Sequence, residues 1–202
     1  MTTEPRIACE PTATVAAETH LQTQSKAHLR RALLALRAGL ATDVKQAQDA
    51  AIGAALLAWL RAHPVALLGV YWPIRAEPDL RPVYDALAAA GIALALPMMR
   101  GAESPLAFAA WTPGAPLVFD RWGIATPASV HLVAPQALLI PCIGFTPQQH
   151  RLGYGGGFYD RTLARQPRPL AIGIAYASGC TNFAVDPYDI AMDVVITEAA
   201  SA

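Results

Sequence analysis

Short apolar runs recur along this chain at Val65 to Tyr71, Ile92 to Leu96, Ala137 to Ile140, Leu170 to Tyr176 and Val194 to Thr197. Helix-patterned or glycine-bearing segments separate them, and that alternation is the strongest constraint on the fold. Strands that alternate with helices build a sheet whose two faces must both be covered. The chain therefore reads as α/β, a three-layer sandwich with a mostly parallel central sheet and helices on both faces. With 202 residues, 54% hydrophobic and 15% charged, one such domain can bury a full core, and the length is short for two.

The helices follow from apolar spacing. Ser25 is a plausible N-cap, and Leu29, Leu33, Leu36 and Leu40 repeat at helical spacing and predict a buried face. Further helices fit Gln46 to Leu60, Asp79 to Ala90 with Gly91 ending it, and Phe158 to Arg165. Pro97 is expected to stop its strand, and Pro105 to Pro127 to form short strands and loops. Residues 1–24 show no apolar period and read as a disordered N-terminal tail, leaving 25–202 as a single domain.

Composition narrows the function classes. A net charge of +0 argues against a general nucleic-acid or membrane-surface binder. No stretch reaches the roughly 18 apolar residues of a membrane-spanning helix. The N-terminus lacks the basic and apolar regions of a signal peptide. Cys9, Cys142 and Cys180 are odd in number and widely spaced, which suggests neither a disulfide framework nor a zinc site. The expected setting is the cytoplasm, and the expected state a monomer.

The segment Arg151-Leu152-Gly153-Tyr154-Gly155-Gly156-Gly157-Phe158-Tyr159-Asp160-Arg161 lies between a predicted buried strand and a predicted helix. Glycines let a backbone approach a ligand closely and turn successive N–H groups inward. The helix that follows would add its positive end, and Arg151 can pair bidentately with a phosphate. It is not a dinucleotide fingerprint, because Phe158 stands where a glycine is needed, nor a Walker A loop. A tight structural turn would use the same glycines. Asp160 either complements the helix dipole or holds magnesium beside a phosphate.

Between Ser25 and Arg37 stand Lys26, Arg30, Arg31 and Arg37, with no acid among them. At about 100° per residue, Lys26, Arg30 and Arg37 form one stripe beside the leucine face. Such a stripe is often a solvated helix edge; the missing acids favour anion binding.

Together these residues resemble the 5-formyltetrahydrofolate cyclo-ligase family, also called 5,10-methenyltetrahydrofolate synthetases. The resemblance rests on the 151–161 segment, on Lys26-x-x-x-Arg30 with Arg37, on Tyr71-x-Pro73-x-x-x-Glu77-x-Asp79, and on Asp189-x-x-x-Asp193 with Thr197-Glu198. It implies ATP-dependent cyclisation of 5-formyltetrahydrofolate to 5,10-methenyltetrahydrofolate, with ATP and a reduced folate as partners and Mg2+ as cofactor. It implies that Lys26, Arg30 and Arg151, Leu152, Gly153, Tyr154, Gly155, Gly156, Gly157, Phe158 and Tyr159 bind ATP. Trp72, Glu77 and Tyr154 to Phe158 would face the folate, Asp160 and Asp189 would hold the metal, and Glu77 and Arg151 would be catalytic.

Three positions depart from the family pattern. Thr146 stands where an Asp is common, Ala177-Ser178-Gly179 where a Gln is usual, and Tyr188 where a His often precedes the late Asp. An inactive cyclo-ligase paralogue and a phosphometabolite-binding α/β protein are the alternatives. Cys142 reads as a packed small side chain, His150 as a solvated loop residue, and Trp59, Trp111 and Trp122 as packing residues.

Overall fold

The structure is a computed structural model that describes residues 25–120 and 123–199. The expected N-terminal tail and Trp122 lie outside the described residues.

The elements in chain order are α1 (Lys26–Ala38), α2 (Thr42–Ala62), β1 (Leu67–Gly69), α3 (Arg81–Ala89), β2 (Ala93–Met98), β3 (Ala107–Trp111), β4 (Leu117–Phe119), β5 (Ala125–Pro127) and β6 (Leu132–Val133). There follow β7 (Ala137–Pro141), β8 (Gly144–Phe145), β9 (Arg151–Leu152), α4 (Phe158–Leu163), β10 (Leu170–Ile174) and β11 (Val194–Ile196). The central sheet has seven strands in the order β11-β10-β7-β1-β2-β3-β6. From β11 to β2 every pairing is parallel, and β3 and β6 extend the sheet antiparallel at one edge.

Alternation along the strands divides the core. Leu68, Leu94, Leu96, Leu139, Ile172 and Ile174 turn to one face and pack with Ile52, Leu56 and Leu60 of α2 and Tyr84 and Leu87 of α3. Ala95, Leu138, Ile140, Ala171 and Val195 turn to the other, against Leu163 of α4 and Met192. The predicted α/β class holds, but the second face is covered by the short α4 and irregular chain rather than a full helical layer.

The connections set the site. From β1 the chain passes through α3 to β2 on one side, then returns through β7 on the other. Strand order thus reverses between β1 and β7, and the C-terminal ends of these two strands mark the switch point at which doubly wound sheets bind ligands. The segments leaving those ends carry Glu77 and the glycine loop.

Several expectations are corrected. Ser25 does cap α1, accepting a 3.3 Å hydrogen bond from His28 N–H. The leucine face, however, is rotated: Leu36 is 51% exposed while Arg37 is 5% exposed. Leu29, Leu33 and Arg37, four residues apart, face the protein. Pro97 does not end β2, which runs on to Met98 with Pro97 opposite Phe108. Pairing with β1 stops at Ala95, so β2 has an open side there that tolerates proline. The long glycine-bearing loop contains the β8–β9 hairpin, and α4 ends at Leu163, before the predicted Arg165. Cys142 is free and buried as read.

Gly144 explains how the hairpin sits so close to α1 and to the turn at 177–179. A Cβ there would lie 2.7 Å from Leu33 Cδ1 and 2.9 Å from the Gly179 carbonyl oxygen. The second contact is backbone and cannot rotate away. We expect Gly144→Ala to destabilise the protein by about 1–3 kcal/mol, read as a lower midpoint in urea unfolding. An unchanged midpoint would mean the hairpin can shift at no cost.

Candidate active site

The segment after β1 is tied down by two phenols. Tyr84 donates from its hydroxyl to the Tyr71 carbonyl at 2.6 Å, and Tyr71 donates to the Pro78 carbonyl at 2.6 Å. Between them the chain makes a turn closed by Glu77 N–H on the Ile74 carbonyl at 2.9 Å. Its central residues, Arg75 at φ 47° and Ala76 at φ 57°, are left-handed without being glycine. Such residues cost on the order of 1–3 kcal/mol each and persist only where the surroundings hold them.

The turn delivers Glu77 into the protein, where it is 2% exposed. One carboxylate oxygen accepts from Ile74 N–H at 2.9 Å, the other from the Tyr154 hydroxyl at 2.8 Å. Burial lifts the Glu77 carboxyl above its ordinary range, and these two donors with the nearby Arg37 and Arg75 charges pull it back only in part. Burial and the Glu77 charge push the Tyr154 phenol up to about 12, so it stays a donor at neutral pH.

The segment after β7 forms the cradle. Thr146 closes the β8–β9 hairpin, with N–H to the His150 carbonyl at 2.9 Å and Oγ1 accepting from His150 N–H at 3.2 Å. The hydroxyl at this departure from the family pattern therefore has a structural partner. Beyond β9, Gly155 at φ 94° and Gly157 at φ 65° take conformations that a side chain would strain. Among the described residues, the backbone N–H groups of Tyr154 through Gly157 donate to no protein acceptor. Four unbonded amides in sequence are free for the oxygens of an anion.

Helix α1 supplies cations to this loop. Arg30 donates from Nε to the Gly153 carbonyl at 2.7 Å. Arg37 donates from Nη2 to the Tyr154 hydroxyl oxygen at 2.8 Å and from Nε to the Arg75 carbonyl at 3.0 Å. Lys26 Nζ lies 2.6 Å from both Asp186 and Asp189. On the loop itself, Arg151 pairs with Asp160 at 2.8 Å, and its side chain is 7% exposed. Its buried Nη1 has no protein partner, which leaves a donor for an incoming oxygen.

Asp160 touches the chain segment that carries Asp189, because its second oxygen accepts from Ile190 N–H at 3.3 Å. Two hard carboxylates beside a phosphate cradle fit magnesium, which takes one or two protein oxygens and completes its shell with phosphate and water. Among the described residues no group of three or more His, Cys, Asp or Glu gathers, so phosphate oxygens would have to supply the rest.

The structure thus links Lys26, Arg30, Arg151, Gly153, Tyr154, Asp160, Asp189 and Glu77. Other predicted site residues stand differently. Leu152 is buried with Leu29 and Phe183, so any contact it makes with a nucleotide goes through its backbone. Phe158 and Tyr159 pack partly into the core, under Arg161 and Arg151 respectively. Trp72 is partly buried, edge-on to Trp111 at 5.9 Å and beneath Arg81. His150 is half-buried rather than solvated, with a buried, unpartnered Nδ1. Tyr188, another departure, is 87% exposed.

Sequence reasoning missed Asp186 as the second partner of Lys26, Arg75 over the Tyr154 ring at 5.3 Å, and Arg161, which bonds the Gly156 carbonyl at 2.8 Å. The Asp186-x-x-Asp189 spacing was the available signal for the first. Arg37 was seen in the basic stripe but given no place in the site.

Fold and site together define an α/β protein whose candidate site lies at the switch point of a mostly parallel sheet. The sequence model of the 5-formyltetrahydrofolate cyclo-ligase family matches residues 22–198, and the chain belongs to that family, a family of ligases. It is 32% identical to the Escherichia coli K12 5-formyltetrahydrofolate cyclo-ligase over 145 residues, 67% of this chain and 78% of the relative. It is 29% identical to the Mycolicibacterium smegmatis 5-formyltetrahydrofolate cyclo-ligase over 188 residues, 86% of this chain and 94% of the relative. The solved 5,10-methenyltetrahydrofolate synthetase of Mycoplasma pneumoniae superposes with a TM-score of 0.71 at 27% identity, covering 87% of this chain and 99% of that one. No described helix is long and apolar enough to cross a membrane.

The Lys26 pairs give a pH signature. Burial works to raise the Asp189 carboxyl, but the Lys26 ammonium and the Asp186 N–H outweigh it and hold it below the usual range. A depressed carboxyl stabilises the fold above its unfolded pKa and loses that contribution as pH falls through the folded value. We expect Lys26→Met to be less stable than wild type by about 0.5–1 kcal/mol at neutral pH. The gap should close as pH drops below about 4. Urea unfolding across that range checks it, and a gap that persists in acid would refute the assignment.

Proposed function

We propose that this chain catalyses the ATP- and Mg2+-dependent cyclisation of 5-formyltetrahydrofolate to 5,10-methenyltetrahydrofolate, releasing ADP and phosphate, as a monomer in the cytoplasm. The observation that carries this reading is the 2.8 Å hydrogen bond from Tyr154 to Glu77. It fastens a loop of free amides, suited to phosphates, to a buried carboxylate suited to the folate. A two-substrate reaction between a nucleotide and a folate needs those two surfaces side by side.

The chemistry asks for little covalent help. A formyl amide is a poor electrophile and its oxygen a poor leaving group. Transfer of the γ-phosphoryl group breaks its bond to ADP and forms a bond to the formyl oxygen, leaving an iminium-like phosphate at N5. The N10 amine then attacks the formyl carbon, the carbon–oxygen bond breaks, and phosphate departs as N10 gives up its proton. That attack is intramolecular, so holding the correct rotamer supplies much of the rate.

Phosphoryl transfer depends on positioning and charge neutralisation. In this reading the amides of 154–157 and the spare Nη1 of Arg151 hold phosphate oxygens, with Lys26 and Arg30 completing the cationic wall. Asp160 and Asp189 would hold magnesium, which when bound offsets negative charge on the phosphates. Glu77, lifted by burial, is suited to orient N10 or take its proton. Trp72 offers an apolar face to the pterin.

Mixing the protein with 5-formyltetrahydrofolate, ATP and Mg2+ should produce the methenyl absorbance band, and omitting ATP should abolish it. Asp160→Asn should lose at least about 100-fold in Mg2+-dependent turnover with an unchanged far-UV circular dichroism spectrum. No ATP-dependent band from the wild-type protein would leave the inactive-paralogue reading in its place. Full activity in Asp160→Asn would remove that carboxylate from the metal site.

A further inference from the structure

We propose that Arg37 is a positioning residue that fixes Glu77 in the folate pocket through two separate hydrogen bonds. One runs from Nε to the Arg75 carbonyl at 3.0 Å, inside the left-handed turn that carries Glu77. The other runs from Nη2 to the Tyr154 hydroxyl at 2.8 Å, whose own proton is donated to Glu77 Oε1 at 2.8 Å. Arg37 thus holds both the backbone from which Glu77 projects and the donor that aims its carboxylate. Lysine, with a single point of donation, could not span both.

Two further observations favour a functional reason for this guanidinium. It is 5% exposed on a helix whose neighbouring Leu36 is left in solvent at 51%. A helix seeking stability alone would bury the leucine and expose the arginine. Its Nη1 is also buried without a protein partner. Leaving such a donor unsatisfied opposes stability, so the residue is held there by geometry it imposes on others.

The charges facing Glu77 are few. Arg37 comes from α1, Tyr154 from the segment after β9, and Arg75 from the turn itself. Tyr71, Tyr84, Tyr159 and Cys142 also feel its charge, but burial pushes all four upward and keeps them neutral through the working range. Arg37 is therefore a principal cation opposing the burial of Glu77, and removing it should raise the carboxyl pKa further.

The inference rests on the proposed cyclisation for its kinetic arm and is independent of it for its spectroscopic arm. In the ligand-free protein, carbon-13 NMR titration of Glu77 should show a higher midpoint in Arg37→Met than in wild type. In the cyclisation assay, Arg37→Met and Tyr154→Phe should lose about 10–100-fold in kcat, and the acid limb of kcat/KM should move to higher pH. Arg37→Lys, which keeps the charge but not the fork, should hold the acid limb near its wild-type position while kcat stays low. Tyr154→Phe, a change at a partly exposed side chain, carries the test should Arg37→Met fail to fold. Unchanged Glu77 midpoints, or kcat within twofold of wild type in folded Arg37→Met and Tyr154→Phe, would overturn the proposal. A wild-type protein without turnover would instead defeat the cyclisation reading and leave the NMR titration standing.

Discussion

A carboxylate taken out of water must be given donors or it takes up a proton, and the crevice is arranged around meeting that demand at Glu77. Its two donors are Ile74 N–H in the same turn and the Tyr154 hydroxyl beyond β9, and Arg37 on α1 stands behind Tyr154 and donates to that hydroxyl. Each needs its own element at a fixed distance from the sheet. The turn needs β1 to end at the switch point, the phenol needs the β8–β9 hairpin seated against α1 and the Gly179 carbonyl through Gly144, and the guanidinium needs α1 rotated so that a leucine faces solvent. Local choices that look unfavourable singly, including two non-glycine residues at positive φ, are consistent once they are seen as serving one buried charge.

The side proposed to hold phosphate follows a different electrostatic rule. Cations gathered to bind an anion repel one another until it arrives. Here Lys26 is held by Asp186 and Asp189, and Arg151 by Asp160. A chain of zero net charge can therefore bring several cations to one loop, because acids sit directly against Lys26 and Arg151. Net charge argued against indiscriminate polyanion binding but carried no information about this local pairing.

Much of the fold was legible because it depends on short-range pattern. The parallel strands read as apolar runs, Ser25 as a cap, and Gly91 and the glycines of the loop as points where backbone conformation is special. Errors arose where a long-range contact outweighed local preference. Leucines at helical spacing predicted the buried face of α1, yet the partners of α1 are Gly153, Tyr154 and Arg75, so Arg30 and Arg37 turn inward. Pro97 looked like a strand end, and only the register with β1 reveals that one side of β2 is open there. Within the site, residue types were readable and pairings were not: no spacing rule connects Tyr154 to Glu77, 77 positions away.

That pairing also bears on how one loop could serve the two proposed substrate surfaces. The amides of Tyr154 to Gly157 are spaced by the backbone, so their positions move together with the Tyr154 side chain. Tethering the phenol to Glu77 and Arg37 therefore fixes the amides as well, and Arg30 on the Gly153 carbonyl fixes the other end of the same stretch. Glycine on both sides of Tyr154 removes the side chains that would fill the space above the amides, while the tether removes the mobility that glycine would otherwise bring. A phosphoryl donor and its acceptor must be aligned to within about half an ångström for transfer to be efficient. A loop that was flexible in composition and free at its centre could not provide that. In the proposed reading, the hydrogen bonds of Tyr154 to Glu77 and Arg37 tie the loop to the opposite wall at its centre.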